Sequence, residues 1–188
     1  MSGQQNSNWL QLKPNNHPTK IIILTTGGTI EKTYDENDGL LINRYSVVES
    51  KVLSRLRLPY TEVEVRPVLA KDSLYMDDKD REQLVRVLEQ FIPELLPIVI
   101  LHGTDTVDQS ARYCQQSLSK IEVPIIFTGA MRPLELEDSD AFQNIVEAIF
   151  AAQLLPAGVY LSFHGRIFAA SHFKKNRKLG TFEWDDAS

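Results

Sequence analysis

Hydrophobic positions in this chain fall into two alternating kinds of block. Residues 21–24 (Ile-Ile-Ile-Leu), 97–101 (Pro-Ile-Val-Ile-Leu), 122–127 (Glu-Val-Pro-Ile-Ile-Phe) and 158–163 (Gly-Val-Tyr-Leu-Ser-Phe) are short apolar runs rich in β-branched residues. Runs of this length and make-up predict strands buried in a parallel sheet. Between them, apolar residues recur at helical spacing. Val47, Val48, Val52, Leu53 and Leu56 predict a helix from about Ser46. Asp77 and Asp78 offer caps for a second helix, whose apolar face is Leu84, Val85, Leu88, Phe91 and Ile92, with Pro93 or Pro97 as its stop. Thr106 or Asp108 caps a third, running through Leu118. Asp138 and Ser139 start a fourth, with Phe142, Ile145, Val146, Ile149 and Phe150 inward.

Three stretches depart from that rhythm. Residues 61–68 alternate polar and apolar, the period of a half-exposed strand, and Pro67 places it near an edge. Residues 31–43 are polar and rich in turn formers, which predicts an exposed, mobile loop carrying Tyr34. Past the last buried run, His164-Gly165-Arg166 reads as a hairpin turn, and residues 174–180 as a closing basic turn. Strand and helix in alternation require parallel strands with right-handed crossovers. The expected fold is α/β: a doubly wound, mostly parallel sheet with helices on both faces, occupying residues 20–188 behind a flexible leader, 1–19, in which only Trp9 and Leu10 are suited to docking.

Composition narrows the functional classes. The apolar and charged fractions, 43% and 24% of 188 residues, are ordinary for a globular protein. A net charge of -5 argues against a nucleic-acid partner. The opening residues lack the basic and apolar regions of a secretory signal, and no apolar run reaches the roughly 20 residues that span a bilayer, so no membrane role and a cytoplasmic location are expected. The single cysteine, Cys114, reads as a buried small side chain. His17, His102, His164 and His172 lack metal-ligand spacing, so no metal is expected, and His102 is placed beneath its own loop. No phosphate-binding glycine motif points to a nucleotide cofactor. Arg132, before Pro133, is suited to anchoring its loop or binding an anion.

Candidate chemistry lies where the buried runs end. Three of them lead into Thr25-Thr-Gly-Gly-Thr29, His102-Gly-Thr-Asp-Thr106 and Thr128-Gly-Ala-Met-Arg-Pro133. A parallel sheet gathers these loops at one edge, where open α/β sheets bind ligands. A threonine hydroxyl needs a base before it attacks, and its oxyanion needs donors. The candidate nucleophiles are Thr29 and Thr104; the candidate activators are Tyr34, Asp105 and a lysine of the basic turn.

These three motifs, in this order over roughly residues 20–183, resemble the bacterial-type L-asparaginase family, known by its TGGTI and HGTDT loops. The resemblance implies hydrolysis of the side-chain amide of L-asparagine, with L-glutamine a second candidate substrate, and no cofactor. It implies Thr29 as nucleophile, Tyr34 as the tyrosine closing over substrate and assisting it, and Gly28 as part of the substrate-binding loop. It implies Ser73 as a ligand of the substrate α-carboxylate, Thr104 as the second catalytic threonine and Asp105 as the residue for the α-amino group. The family's lysine falls on Lys175, with Lys174 the alternative. This sequence matches the N-terminal domain only, the C-terminal domain of longer relatives being absent from it. A homo-oligomer, a C2 dimer in the simplest case, is therefore expected. The same resemblance admits an ammonia-releasing subunit of a tRNA-dependent amidotransferase; a silent module binding a small amino acid is the non-enzymatic alternative.

Overall fold

The computed structural model describes residues 18–43 and 46–185. Trp9 and Leu10, expected in a flexible leader, lie outside the described residues. The chain runs through β1 (Thr19–Thr25), β2 (Lys32–Asp35), β3 (Leu40–Asn43), α1 (Val48–Lys51), β4 (Thr61–Pro67), α2 (Asp78–Phe91) and β5 (Ile98–Leu101). It continues through α3 (Val107–Ser117), β6 (Pro124–Thr128), α4 (Ala141–Leu154), β7 (Gly158–Phe163), β8 (Arg166–Ala169), β9 (Phe173–Asn176) and β10 (Thr181–Trp184).

The main sheet has six strands in the order β4-β1-β5-β6-β7-β8. Every pairing from β4 to β7 is parallel, and β8 returns antiparallel on the far edge. The side chains of β1 show why the run 21–24 is apolar throughout. Ile22 and Leu24 point into a core shared with α2 and α3, whereas Ile21 and Ile23 point into a second core shared with α1 and α4. The sheet is thus wound on both faces, as the alternating pattern requires. At its open edge Pro67 ends β4, where a missing N–H costs no ladder bond. Among the described residues no helix is long and apolar enough to cross a membrane.

Local signals act as the sequence suggests at α2. Asp77 accepts from the Asp80 N–H at 3.1 Å and Asp80 accepts from the Asp77 N–H at 2.9 Å, a reciprocal capping box. At α3, Thr106 takes the cap position but its hydroxyl makes no capping bond. The turn from β7 to β8 uses His164 at φ 47 and Gly165 at φ 74, two successive left-handed residues as a two-residue hairpin needs.

Four expectations are corrected. The helix drawn through Val47–Leu56 shrinks to one turn, α1, followed by a 3-10 turn over Leu53–Arg55; its first residue, Val48, is β-branched and its cap, Val47, offers no side-chain acceptor. The loop over 31–43 is a hairpin, β2 pairing with β3 around Gly39 at φ 67. The closing basic turn is another hairpin, β9 with β10. In α4 the buried face is Ala141, Asn144, Ile145, Ala148, Ile149 and Ala152, and the expected inward residues Phe142, Val146 and Phe150 are exposed. Small side chains let this helix sit close to β6 and β7, so the larger apolar residues turn outward.

Candidate active site

The three glycine-threonine loops leave the sheet side by side because the ladder continues one residue past the strands. The Thr26 N–H donates to Leu101 O at 3.0 Å, and the His102 N–H to Thr128 O at 2.8 Å. The Thr26 hydroxyl reinforces the first link, donating to Leu101 O at 2.9 Å. The loops then touch backbone to backbone. A methyl group on Gly28, at φ 85, would lie 2.3 Å from the Gly103 Cα; one on Gly103 would lie 2.4 Å from Ser73 Oγ. Only glycine permits both approaches.

That contact draws in the loop bearing Ser73. Asp72 caps a short 3-10 turn over Ser73–Tyr75, its carboxylate accepting from the Leu74 N–H at 3.1 Å. The Thr106 hydroxyl donates to Ser73 O at 2.9 Å, which explains why it does not cap its own helix. Ser73 is 1% exposed, and its hydroxyl has no hydrogen-bond partner among the described residues. Burial alone would raise the Asp72 carboxyl, but the Lys32 ammonium at 2.7 Å, the Leu74 N–H and the charge of Lys175 hold it below the usual range. Thr29 opens a 3-10 turn over Thr29–Glu31 directly after Gly28, half-buried at the loop tip.

From the opposite side, β9 delivers the lysine. Strand alternation separates the two candidates: Lys175 shares a face with the buried Phe173, whereas Lys174 points out towards Asp185 at 3.4 Å. Lys175 Nζ donates to Thr104 Oγ1 at 2.7 Å and to Asp105 Oδ1 at 3.0 Å. Asp105 also receives Arg177, at 2.9 Å. The structure therefore brings Gly28, Ser73, Thr104, Asp105 and Lys175 into one cluster, and Thr29 directly follows Gly28.

Tyr34 is placed differently. It lies on β2, 58% exposed, with its backbone N–H donating to Glu135 Oε2 at 2.6 Å. Its hydroxyl leans over the turn of its own hairpin, 3.8 Å from where a methyl group on Gly39 would sit. Behind the Thr29 turn lies a cavity of about 420 Å³, reached by Gly27, Glu31, Asn43 and Ser46 and walled by Val65, Val68 and Leu69. Glu31 is buried at 4% exposure and accepts from the Gly27 N–H at 2.8 Å. Burial raises its carboxyl above the usual range, against the opposing bonds from Ser46, Gly27 and Thr25. Neither Thr104 nor Lys175 reaches this cavity.

His102 packs where the sequence places it, 1% exposed under its loop, with Nδ1 2.8 Å from Gly103 O. Burial lowers its imidazole to about 4, so it stays neutral. Cys114 is buried, its thiol pushed up to about 12 by burial. Arg132 pairs with Asp138 on its own loop. Among the described residues no cluster of three or more histidine, cysteine, aspartate or glutamate side chains is placed to hold a metal ion. Sequence reasoning missed Arg177, Glu31 and Asp72. Asp72 alone carried a local signal, an aspartate one residue before a serine in a turn.

A family model described as Asparaginase, N-terminal, matches residues 20–183. The L-asparaginase of Bacillus licheniformis is 28% identical over 161 residues, covering 83% of this chain and 49% of that protein. A Glutamyl-tRNA(Gln) amidotransferase subunit of Methanococcus vannielii is 31% identical over 159 residues, covering 84% of this chain and 37% of that one. Among solved structures, the thermostable L-asparaginase from Thermococcus kodakarensis superposes with a TM-score of 0.81 at 26% identity, over 90% of this chain and 52% of that one. The chain thus spans about half the length of these two L-asparaginases.

Proposed function

The chain belongs to the asparaginase family, matching its N-terminal domain over residues 20–183, and on that premise we propose that it hydrolyses the side-chain amide of L-asparagine to L-aspartate and ammonia, with Thr29 as nucleophile. The observation that carries this reading is the ion-paired lysine on a buried threonine: Lys175 Nζ at 2.7 Å from Thr104 Oγ1 and 3.0 Å from Asp105 Oδ1. A hydroxyl, a lysine and a carboxylate so joined form a proton relay, and they converge on the loop whose glycine contact presents Thr29.

In this reading Thr29 Oγ attacks the amide carbon and its proton passes to the departing nitrogen, so the C–N bond breaks and ammonia leaves an acyl-enzyme ester. Water then adds to that ester, its proton passing through the Thr104 hydroxyl to Thr29 Oγ as the ester C–O bond breaks, while the Lys175 ammonium polarises Thr104. Ser73 Oγ donates to the substrate carboxylate, which supplies the partner its buried hydroxyl otherwise lacks. Asp105 receives the substrate ammonium in place of the Arg177 guanidinium, whose side chain is 71% exposed and free to swing out. Tyr34 reaches the site by closure of the β2–β3 hairpin. A symmetric dimer in the cytoplasm completes the proposal; sedimentation equilibrium giving a monomer would remove the dimer alone.

Ammonia release from L-asparagine and L-glutamine by the wild type beside Thr29→Ala tests the reaction. Turnover by the wild type, with a loss of several powers of ten in the variant, is expected. Equal rates in the two proteins would overturn Thr29 as nucleophile. A second reading, an ammonia-supplying subunit of a tRNA-dependent amidotransferase, is favoured by the 31% identity to the Methanococcus vannielii amidotransferase subunit. It predicts turnover only when a partner subunit is added. Aspartate binding by calorimetry without any turnover would point to a silent binding module.

A further inference from the structure

Away from the reacting groups, a chain of polar contacts joins both sides of the Lys175–Thr104 pair. Thr181, on β10, lies with Oγ1 3.0 Å from His164 Nδ1, and His164 Nε2 lies 2.9 Å from Asp140 Oδ2. A carboxylate only accepts, so Nε2 carries the proton and, in the neutral ring, Nδ1 accepts the Thr181 hydroxyl. Asp140 is fixed in turn by the N–H groups of Met131 and Arg132, both at 3.0 Å, and by Asn144 Nδ2 at 3.0 Å. Burial would raise the Asp140 carboxyl, but Met131, His164 and Arg132 together hold it below the usual range.

A hydroxyl, an imidazole and a carboxylate in line have the make-up of a second nucleophilic site, but the turn does not supply the rest. The His164 N–H is committed to Asn144 Oδ1 at 3.1 Å and the Gly165 N–H to Glu147 Oε2 at 2.7 Å, so neither is left for an oxyanion.

The two ends of the network explain its place. At one end, Asn144 is wholly buried and donates to Gly129 O at 2.9 Å. Gly129 packs so closely on the His102-Gly103-Thr104 loop that a methyl group there would lie 2.3 Å from His102 O and 3.3 Å from the Thr104 methyl. At the other end, Thr181 pairs in register with Asn176, and the next rung is Phe182 with Lys175. Directly opposed residues share a face, so Phe182 and Lys175 point inward while Thr181 holds the reverse face. Apolar packing of Phe182 on Phe163 and Phe173, at 4.9 and 5.6 Å between ring centres, seats the hairpin but leaves its turn end to be fixed by polar contacts.

We propose that His164 is a positioning residue, which with Asp140 and Thr181 ties the β9–β10 hairpin to the Gly129 loop and so keeps Lys175 on Thr104. The catalytic consequence rests on the amidohydrolase reading; the geometric claim does not.

The test compares Thr181→Val, which keeps shape but removes the hydroxyl, with Thr181→Ser, which restores it, and with His164→Ala. The first readout is the rate at which an amine-reactive acetylating reagent labels Lys175, measured by peptide mass spectrometry. The neighbouring Lys174 is the internal standard, its side chain 52% exposed against 18% for Lys175. The expected result is a several-fold rise in the Lys175-to-Lys174 labelling ratio in Thr181→Val and His164→Ala, with Thr181→Ser at the wild-type ratio. Labelling as slow in Thr181→Val as in the wild type, with the fold intact by circular dichroism, overturns the proposal whatever the activity. The second readout is ammonia release, where Thr181→Val is expected to lower kcat about tenfold with KM little changed. Should the wild type turn over no amide, the functional reading fails and the labelling ratio still decides this one.

Discussion

The two sides of the candidate site are built on different principles. On the Thr104 side every candidate residue is fixed by other parts of the fold: Lys175 by an ion pair and a strand, Thr104 by a loop packed between glycines, Asp105 by two cations. On the Thr29 side the proposed nucleophile follows a glycine pair, Tyr34, its proposed helper, stands exposed on a two-stranded hairpin, and a cavity of about 420 Å³ lies behind the turn. The difference teaches that one half of the candidate site is preorganised while the other has room to adjust. A site that admits a small substrate and then closes over it needs both properties.

Acidification sets the two sides against each other most strongly. His102 underlies the fixed side, and its folded-state value, about 4, lies below the 6.5 of an exposed imidazole. The unfolded chain therefore binds the extra proton first. Its contribution to stability is fully present above pH 6.5 and is lost as pH falls from there through 4, a decline of about 3 kcal/mol. Urea unfolding at stepped pH checks this against His102→Asn or His102→Gln, either of which flattens that decline if it folds.

Glu31, under the adjustable side, carries the opposite sign. Its carboxyl is raised by burial, so its stabilising contribution is present below the ordinary glutamate range and is lost as pH rises through the folded-state value. Glu31→Gln is thus expected to raise Tm at neutral pH, by less than the His102 effect, with the gain vanishing on acidification. A Glu31→Gln protein less stable than wild type at neutral pH would show that the Gly27 N–H needs a charged acceptor.

The smallest effect belongs to Tyr34. At 58% exposure, Tyr34→Phe should leave stability within about 0.5 kcal/mol. Under the proposed mechanism it should lower kcat about tenfold. A loss as large as that of Thr29→Ala would mean that the hairpin belongs to the fixed machinery and would erase the distinction between the two sides.

Much of the fixed side was legible because it depends on strand ends. Short β-branched runs, each followed by glycine and threonine, placed Thr104, Asp105 and Gly28 at one edge without any knowledge of packing. The sequence favoured Lys175 but left Lys174 open, since only the pairing of β9 with β10 establishes which of two neighbours faces inward. The adjustable side was harder to read. Residues 32–43 are as polar as a loop, and their hairpin rests on a tight turn at Gly39 with Leu41 and Leu40 still exposed. In α4, an apolar stripe of Phe142, Val146 and Phe150 competed with an alanine-rich one, and close approach to the sheet chose the smaller side chains. The Asp140–His164–Thr181 chain joins residues 24 and 17 positions apart, contacts that no local pattern encodes.

The most direct measurement is steady-state ammonia release from L-asparagine by Lys175→Met, a change that keeps the length of the side chain and removes its charge. With the fold confirmed by circular dichroism, kcat is expected to fall by at least about a thousandfold, while Thr29 and its loop stay in place. A Lys175→Met protein that keeps wild-type kcat would contradict the assignment of Thr104, Asp105 and Lys175 as the preorganised half of the site.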